Sequence, residues 1–135
     1  MLRLYSRRTS KNSLEFLNKV LDEMPFPIQR IQTDRGGEFF AYKFQDALAK
    51  NHIKYRPIRP FSPYLNGKVE RTQKTDLEEF YSTVNLADPE LPKLLERWQD
   101  YYNAERPHGS IDNCTPQEKW HDLCLKIPFS DEIWE

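Results

Sequence analysis

Two carboxylates stand where this chain could do chemistry. Asp34 ends the alternating run Ile28-Gln29-Arg30-Ile31-Gln32-Thr33 and precedes a Gly36-Gly37 turn, and Glu70 follows Gly67 in the first turn of a helical pattern. The carboxyl end of a strand is where α/β sheets gather ligands and catalytic groups. Taken singly, each has an ordinary explanation: Asp34 as a turn aspartate, Glu70 as a carboxylate favoured by the helix dipole. As a pair they are separated by 35 residues, and paired carboxylates can work as acid and base, as in glycosidases.

The elements that must position them follow from periodicity and breakers. Leu2, Leu4 and Tyr5 read as the end of a strand, and Thr9 or Ser10 can cap a helix with the apolar face Leu14, Leu17, Leu21 and Met24, closed by Pro25 and Pro27. A strand over 28–33 leads to Asp34, and Phe40, Phe44, Ala47 and Leu48 share one helix face. The next extended piece, 53–58, contains Pro57 and is expected at a sheet edge. A Pro- and Gly-rich loop, 59–67, follows; Asn66 can cap a helix whose buried stripe is Val69, Leu77, Phe80 and Tyr81. A last amphipathic helix runs through Leu91, Leu94, Leu95, Trp98, Tyr101 and Tyr102, with the three aromatic residues expected in the core. Strands alternating with helices predict an α/β domain with extra C-terminal helices.

With 135 residues, 38% hydrophobic and 18 aromatic, the chain is long and apolar enough for one globular domain at most. No apolar run approaches the ~20 residues of a membrane span, and the first residues lack the apolar core of a signal peptide. The chain therefore reads as soluble and intracellular. Cys114 and Cys124 lack zinc or CxxC spacing and read as free thiols. The net charge of −1 hides a division: residues 1–75 hold 15 Lys+Arg against 7 Asp+Glu, and residues 76–135 hold 5 against 14. The first part is an anion-binding half, and both carboxylates lie in it.

The blocks around these residues resemble the catalytic core of retroviral integrases and of bacterial insertion-sequence transposases of the DDE type. They are Gln32-Thr33-Asp34-Arg35-Gly36-Gly37-Glu38-Phe39, then Ser62-Pro63-Tyr64-Leu65-Asn66-Gly67-Lys68-Val69-Glu70, then Tyr102-Asn103-Ala104-Glu105-Arg106-Pro107-His108 with Thr115-Pro116-Gln117-Glu118. The 35-residue spacing is that of the second Asp and final Glu of the family's metal-binding triad. The resemblance implies an α/β, ribonuclease H-like integrase core in which Asp34 and Glu70 are catalytic residues and metal ligands. Phosphoryl transfer on DNA uses two hard cations roughly 4 Å apart, Mg2+ or Mn2+, held by carboxylates and phosphate oxygens. The implied partners are DNA, both transposon ends and target, with a homo-oligomer or an intact transposase, and no membrane. The implied setting is the bacterial cytoplasm, at the nucleoid.

Basic residues fit that resemblance. Residues 50–75 carry seven Lys and Arg against Glu70 alone. Arg59, Lys68, Arg71 and Lys74 are the expected DNA-binding set, making salt-sensitive phosphate contacts that are blind to sequence. An ordinary solvated helix face with an internal Glu70–Lys74 pair is the competing explanation. Tyr64 either packs on DNA or anchors its loop. Asn103, Arg106, Pro107 and His108 are expected to hold the C-terminal helix against the core rather than to react.

One departure from the family pattern stands out. Its triad has a further aspartate on the first, central strand of the sheet, whereas the sole aspartate before Asp34 is Asp22, in the last turn of a helix. The expected architecture is thus a core lacking its first strands: residues 1–85 as a partial catalytic core and 86–135 as its C-terminal helical part. With one ligand missing, the chain alone is expected to be inactive or nearly so. The alternative function is a non-catalytic DNA- or transposase-binding remnant that modulates transposition.

Overall fold

The computed structural model describes residues 1–127, which form two compact units, one of residues 3–86 and one beginning at Ala87. In the first, helix α1 (Ser10–Glu23) starts where Thr9 Oγ1 accepts the Asn12 amide at 3.2 Å, satisfying one of the donors that a helix start leaves open. It stops at Met24, whose backbone is already extended ahead of Pro25. Strand β1 (Arg30–Thr33) pairs in parallel with β2 (Lys54–Pro57), in the register Arg30–Lys54 through Thr33–Pro57. A parallel pair needs a long crossover, and α2 (Gly37–Phe40) with α3 (Tyr42–Lys50) provides it. Leu17, Phe44, Leu48 and Ile53 form the core, with Leu14, Leu21, Ile28, Ile31, Phe39, Ala47 and Tyr55 packed around them. Each fully buried side chain of this kind contributes roughly 1.5–3 kcal/mol. The α/β class is as expected from sequence, and the two strands fall within the expected stretches 28–33 and 53–58.

Four local expectations are corrected. Residues 1–5 are irregular rather than the end of a strand; a strand needs a ladder partner, and among the described residues the sheet is β1 and β2 alone. The helical pattern around Phe40 and Phe44 breaks at Ala41, whose ψ of 139° is extended. The break swings Phe40 outward under the Arg35 guanidinium, and Phe39 packs on the core in its place. Asn66 occupies the N-cap of α4 (Gly67–Glu79) without a side-chain cap bond, because a 3-10 turn, Pro63–Asn66, runs directly into the helix. Finally, Val69 and Leu77 are half or more exposed, while Asp76 and Phe80 of the same segment are buried. The inward stripe of α4 thus starts well after Glu70.

The second unit pairs α5 (Leu91–Ala104) with α6 (Pro116–Lys126). Among the described residues Leu91, Leu95 and Trp98 are its buried apolar side chains and Thr115 is buried with them, whereas Tyr101, expected in the core, is 42% exposed. Helix α6 begins with a capping box: Thr115 Oγ1 accepts the Glu118 amide at 3.1 Å, and Glu118 Oε2 accepts the Thr115 amide at 2.8 Å. None of the helices among the described residues is long and apolar enough to cross a membrane.

Candidate active site

At the end of β1 the chain turns on Asp34. Its Oδ1 accepts the Gly36 amide at 3.0 Å, while Thr33 Oγ1 donates to the Asp34 carbonyl at 2.7 Å and meets the Tyr55 hydroxyl at 2.9 Å. A Cβ on Gly36 would lie 2.6 Å from Glu38 Oε2, so a larger residue there would have to displace the Glu38 carboxylate. Glu38 is itself fixed by Arg8 at 3.1 Å, with its side chain only 9% exposed.

Glu70 arrives from the other side on the first turn of α4. An open cleft of about 350 Å³ is lined by both Asp34 and Glu70, together with Arg35, Ile58, Arg59, Ser62, Asn66 and the Pro60-Phe61 turn. The structure therefore brings the two carboxylates and Arg59 to one cleft. Lys68, Arg71 and Lys74 lie exposed on α4 outside the residues that line it. The Glu70–Lys74 pair is not formed: Lys74 Nζ sits 3.7 Å from Glu78 Oε1 instead. Among the described residues neither Asp34 nor Glu70 is in an ion pair. Both carboxylates are exposed and keep oxygens free for a ligand.

Two site features had no clear sequence signal. The Gln32 side-chain amide donates to the Leu65 carbonyl at 2.9 Å, joining the strand that carries Asp34 to the turn that leads into Glu70. Because α4 is buried only at Asp76 and beyond, this bond acts on the end of the segment that the core does not grip. The second feature is Phe61, fully exposed with a φ of 58°. A residue other than glycine with positive φ is uncommon, and for a bulky side chain it is an outlier. A phenylalanine there is strained, and its ring projects at the cleft. Tyr64, three residues on in the 3-10 turn, is 77% exposed, and among the described residues its side chain has no hydrogen bond or ring contact.

The third sequence block lies wholly in the second unit. His108 Nε2 is 3.1 Å from the Tyr102 carbonyl, its Nδ1 is 3.3 Å from Arg106 Nη1, and its ring meets that of Tyr102 at 4.4 Å. The Arg106 guanidinium also lies over the Tyr102 ring at 5.7 Å. Asn103 is half-buried in the last turn of α5, and Pro107 is exposed. Tyr102, Arg106 and His108 tie the end of α5 to the loop before α6.

The integrase core domain family model matches residues 51–116. A transposase for insertion sequence element IS904 from Lactococcus lactis is 27% identical over 108 residues, 76% of this chain and 42% of the relative. A Geobacillus stearothermophilus protein named as a transposase for insertion sequence element IS5376 is 35% identical over 75 residues, 54% of this chain and 18% of the relative. The chain thus spans less than half the length of either. In structure it resembles a chain of the simian T-cell lymphotropic virus intasome solved with PP2A regulatory subunit B56 gamma. There the TM-score is 0.65 and the identity 26%, covering 77% of this chain and 37% of that one. The catalytic core domain of BIV integrase gives a TM-score of 0.70 at 16% identity, covering 92% of this chain and 78% of that one. Its likeness places the fold among ribonuclease H-like integrase cores. The family match, the transposase relatives and this fold agree, and together they support a DDE transposase/integrase core.

Proposed function

We propose that this chain contributes to DNA integration, as part of a core that transfers phosphoryl groups on DNA. The observation that supports it is the convergence of Asp34 and Glu70 on one cleft from elements 35 residues apart in sequence. The donors available there are carboxylates, with the Ser62 hydroxyl and the Asn66 amide, and among the described residues neither sulfur nor imidazole lines the cleft. Such an all-oxygen set suits Mg2+ or Mn2+ rather than zinc or copper. Asp34 and Glu70 would hold the cation, which supplies charge stabilisation to the attacking and leaving oxygens. Arg59 neutralises the phosphate beside them, and Lys68, Arg71 and Lys74 hold the flanking backbone without reading sequence. Phe61 and Tyr64 offer rings on which unpaired bases at a DNA end can stack.

Two carboxylates line the cleft, and among the described residues no group of three His, Cys, Asp or Glu is placed to hold a metal ion. The chain alone is therefore expected to show no or nearly no strand transfer, and to work with an intact transposase or a second copy on transposon ends or target DNA. The same observation favours a second role, a non-catalytic DNA- or transposase-binding module that modulates transposition. Its setting would be that of its bacterial relatives' DNA, the cytoplasm at the nucleoid.

Mn2+ binding to the 135-residue chain, followed by electron paramagnetic resonance, tests the site: Asp34→Asn and Glu70→Gln should each weaken it at least tenfold. Unchanged binding in both variants removes the carboxylate pair as the metal site. A metal-dependent strand-transfer assay tests the rest, and turnover by the chain alone, abolished by Asp34→Asn, would overturn its expected inactivity.

A further inference from the structure

Strand pairing builds a surface that lies outside the cleft. In the β1–β2 register, Arg30 stands beside Lys54 and Gln32 beside Arg56, and all four are exposed on one face of the sheet. The other face presents Ile31 and Tyr55 to the core. Parallel strands normally have both faces covered by helices and read as nearly unbroken apolar runs. Here each strand alternates instead, so this face is built for a polar environment. It is also of one sign. Surfaces ordinarily mix charges, yet Arg30, Lys54 and Arg56 share the face with no acidic residue, and among the described residues none of the three is in an ion pair.

The direction of the strands adds a second constraint. Both run toward the cleft: β1 ends one residue before Asp34, and β2 leads through Ile58 to Arg59, both of which line it. Same-face residues on a strand repeat every ~6.6 Å, so the cations form a track rather than a point. We propose that this sheet face is a docking track for the phosphate backbone of duplex DNA, continuous with the Asp34–Glu70 cleft and distinct from the cations of α4. The proposal rests on the reading of the chain as DNA-directed and adds a second contact surface to it. Arg30, Lys54 and Arg56 set the course of the duplex away from the cleft, and they do so for any sequence, because no base edge is read.

The test is fluorescence anisotropy of a labelled duplex of arbitrary sequence, titrated with the full chain at several salt concentrations. Each phosphate contact contributes about 0.9 to the slope of log affinity against log salt. Neutralising Arg30, Lys54 and Arg56 together to Gln should reduce that slope by about 2 to 3 and weaken low-salt binding at least tenfold. The circular dichroism spectrum and Tm should stay those of the parent, since all three side chains are exposed. A matched Lys68→Gln, Arg71→Gln, Lys74→Gln variant separates the two surfaces. If it loses the DNA and the sheet-face variant does not, the track is overturned while the DNA reading stands. If the parent chain fails to bind duplex at low salt, the DNA reading falls and takes the track with it. The remaining occupant is the acidic unit of a second copy. Sedimentation without DNA, showing an oligomer that the sheet-face variant dissolves while its DNA affinity is unchanged, would assign the face to that copy and overturn the proposal.

Discussion

The two units spend their polar residues differently. From residue 87 onward, where 5 Lys and Arg stand against 11 Asp and Glu, four polar side chains of the family blocks bond within the unit itself. Thr115 and Glu118 close a reciprocal cap, and Arg106 and His108 clasp the end of α5. In residues 3–86, with 15 Lys and Arg against 10 Asp and Glu, the block residues Asp34 and Glu70 face a cleft without an ion pair. A residue shared with a family can thus be scaffold or chemistry, and its bonding separates the two. A polar group whose valences are filled by neighbours stabilises the fold, whereas one left open at a cleft is available to a ligand.

That contrast can be broken by experiment. The largest effect expected is on metal binding: combining Asp34→Asn with Glu70→Gln should weaken Mn2+ binding well over tenfold, without the two losses multiplying because both carboxylates hold one ion, while Tm measured by calorimetry stays within 2 °C or so. If Tm falls sharply instead, those carboxylates are scaffold and the contrast fails. In the other unit, Thr115→Ala should cost about 1 kcal/mol of stability in urea denaturation, with Mn2+ binding unchanged. Gln32→Leu lies between the two classes. It should leave stability near that of the parent, weaken Mn2+ binding several-fold, and speed amide exchange of Leu65 through Glu70 but not of Asp76 through Phe80. Equal protection in both segments would show that the Gln32 bond positions nothing. Smallest of all, Lys74→Ala should cost about 0.3 kcal/mol, the worth of an exposed pair one turn apart with Glu78.

What the sequence revealed and what it concealed divide along physical lines. Alternation marked both strands, Thr9 marked a helix start, and the 35-residue spacing marked the carboxylates, because each of these is set by local chemistry or by family text. The rest depended on tertiary context. Residues 2–5 have the composition of a strand but no ladder to join. Ala41, a strong helix former, sits extended between α2 and α3, against its propensity. Val69 and Leu77 are apolar at helical spacing, yet α4 turns the side bearing Asp76 inward. Phe61 could be found only as the residue after Pro60 in a turn, and its chemistry argued for burial rather than for display. The Gln32 bond joins residues 33 apart through a backbone carbonyl, which no pattern of side chains announces.

The left-handed backbone at Phe61 sets a trade-off between durability and use. Replacing it with Gly would relieve strain of about 1 kcal/mol, so selection or engineering for thermal stability alone would favour that change. It would also delete the one fully exposed ring in the cleft wall. If the proposed stacking role holds, a stabilised descendant of this chain would then be the sturdier protein and the poorer partner for DNA, with nothing in its melting curve to reveal the loss.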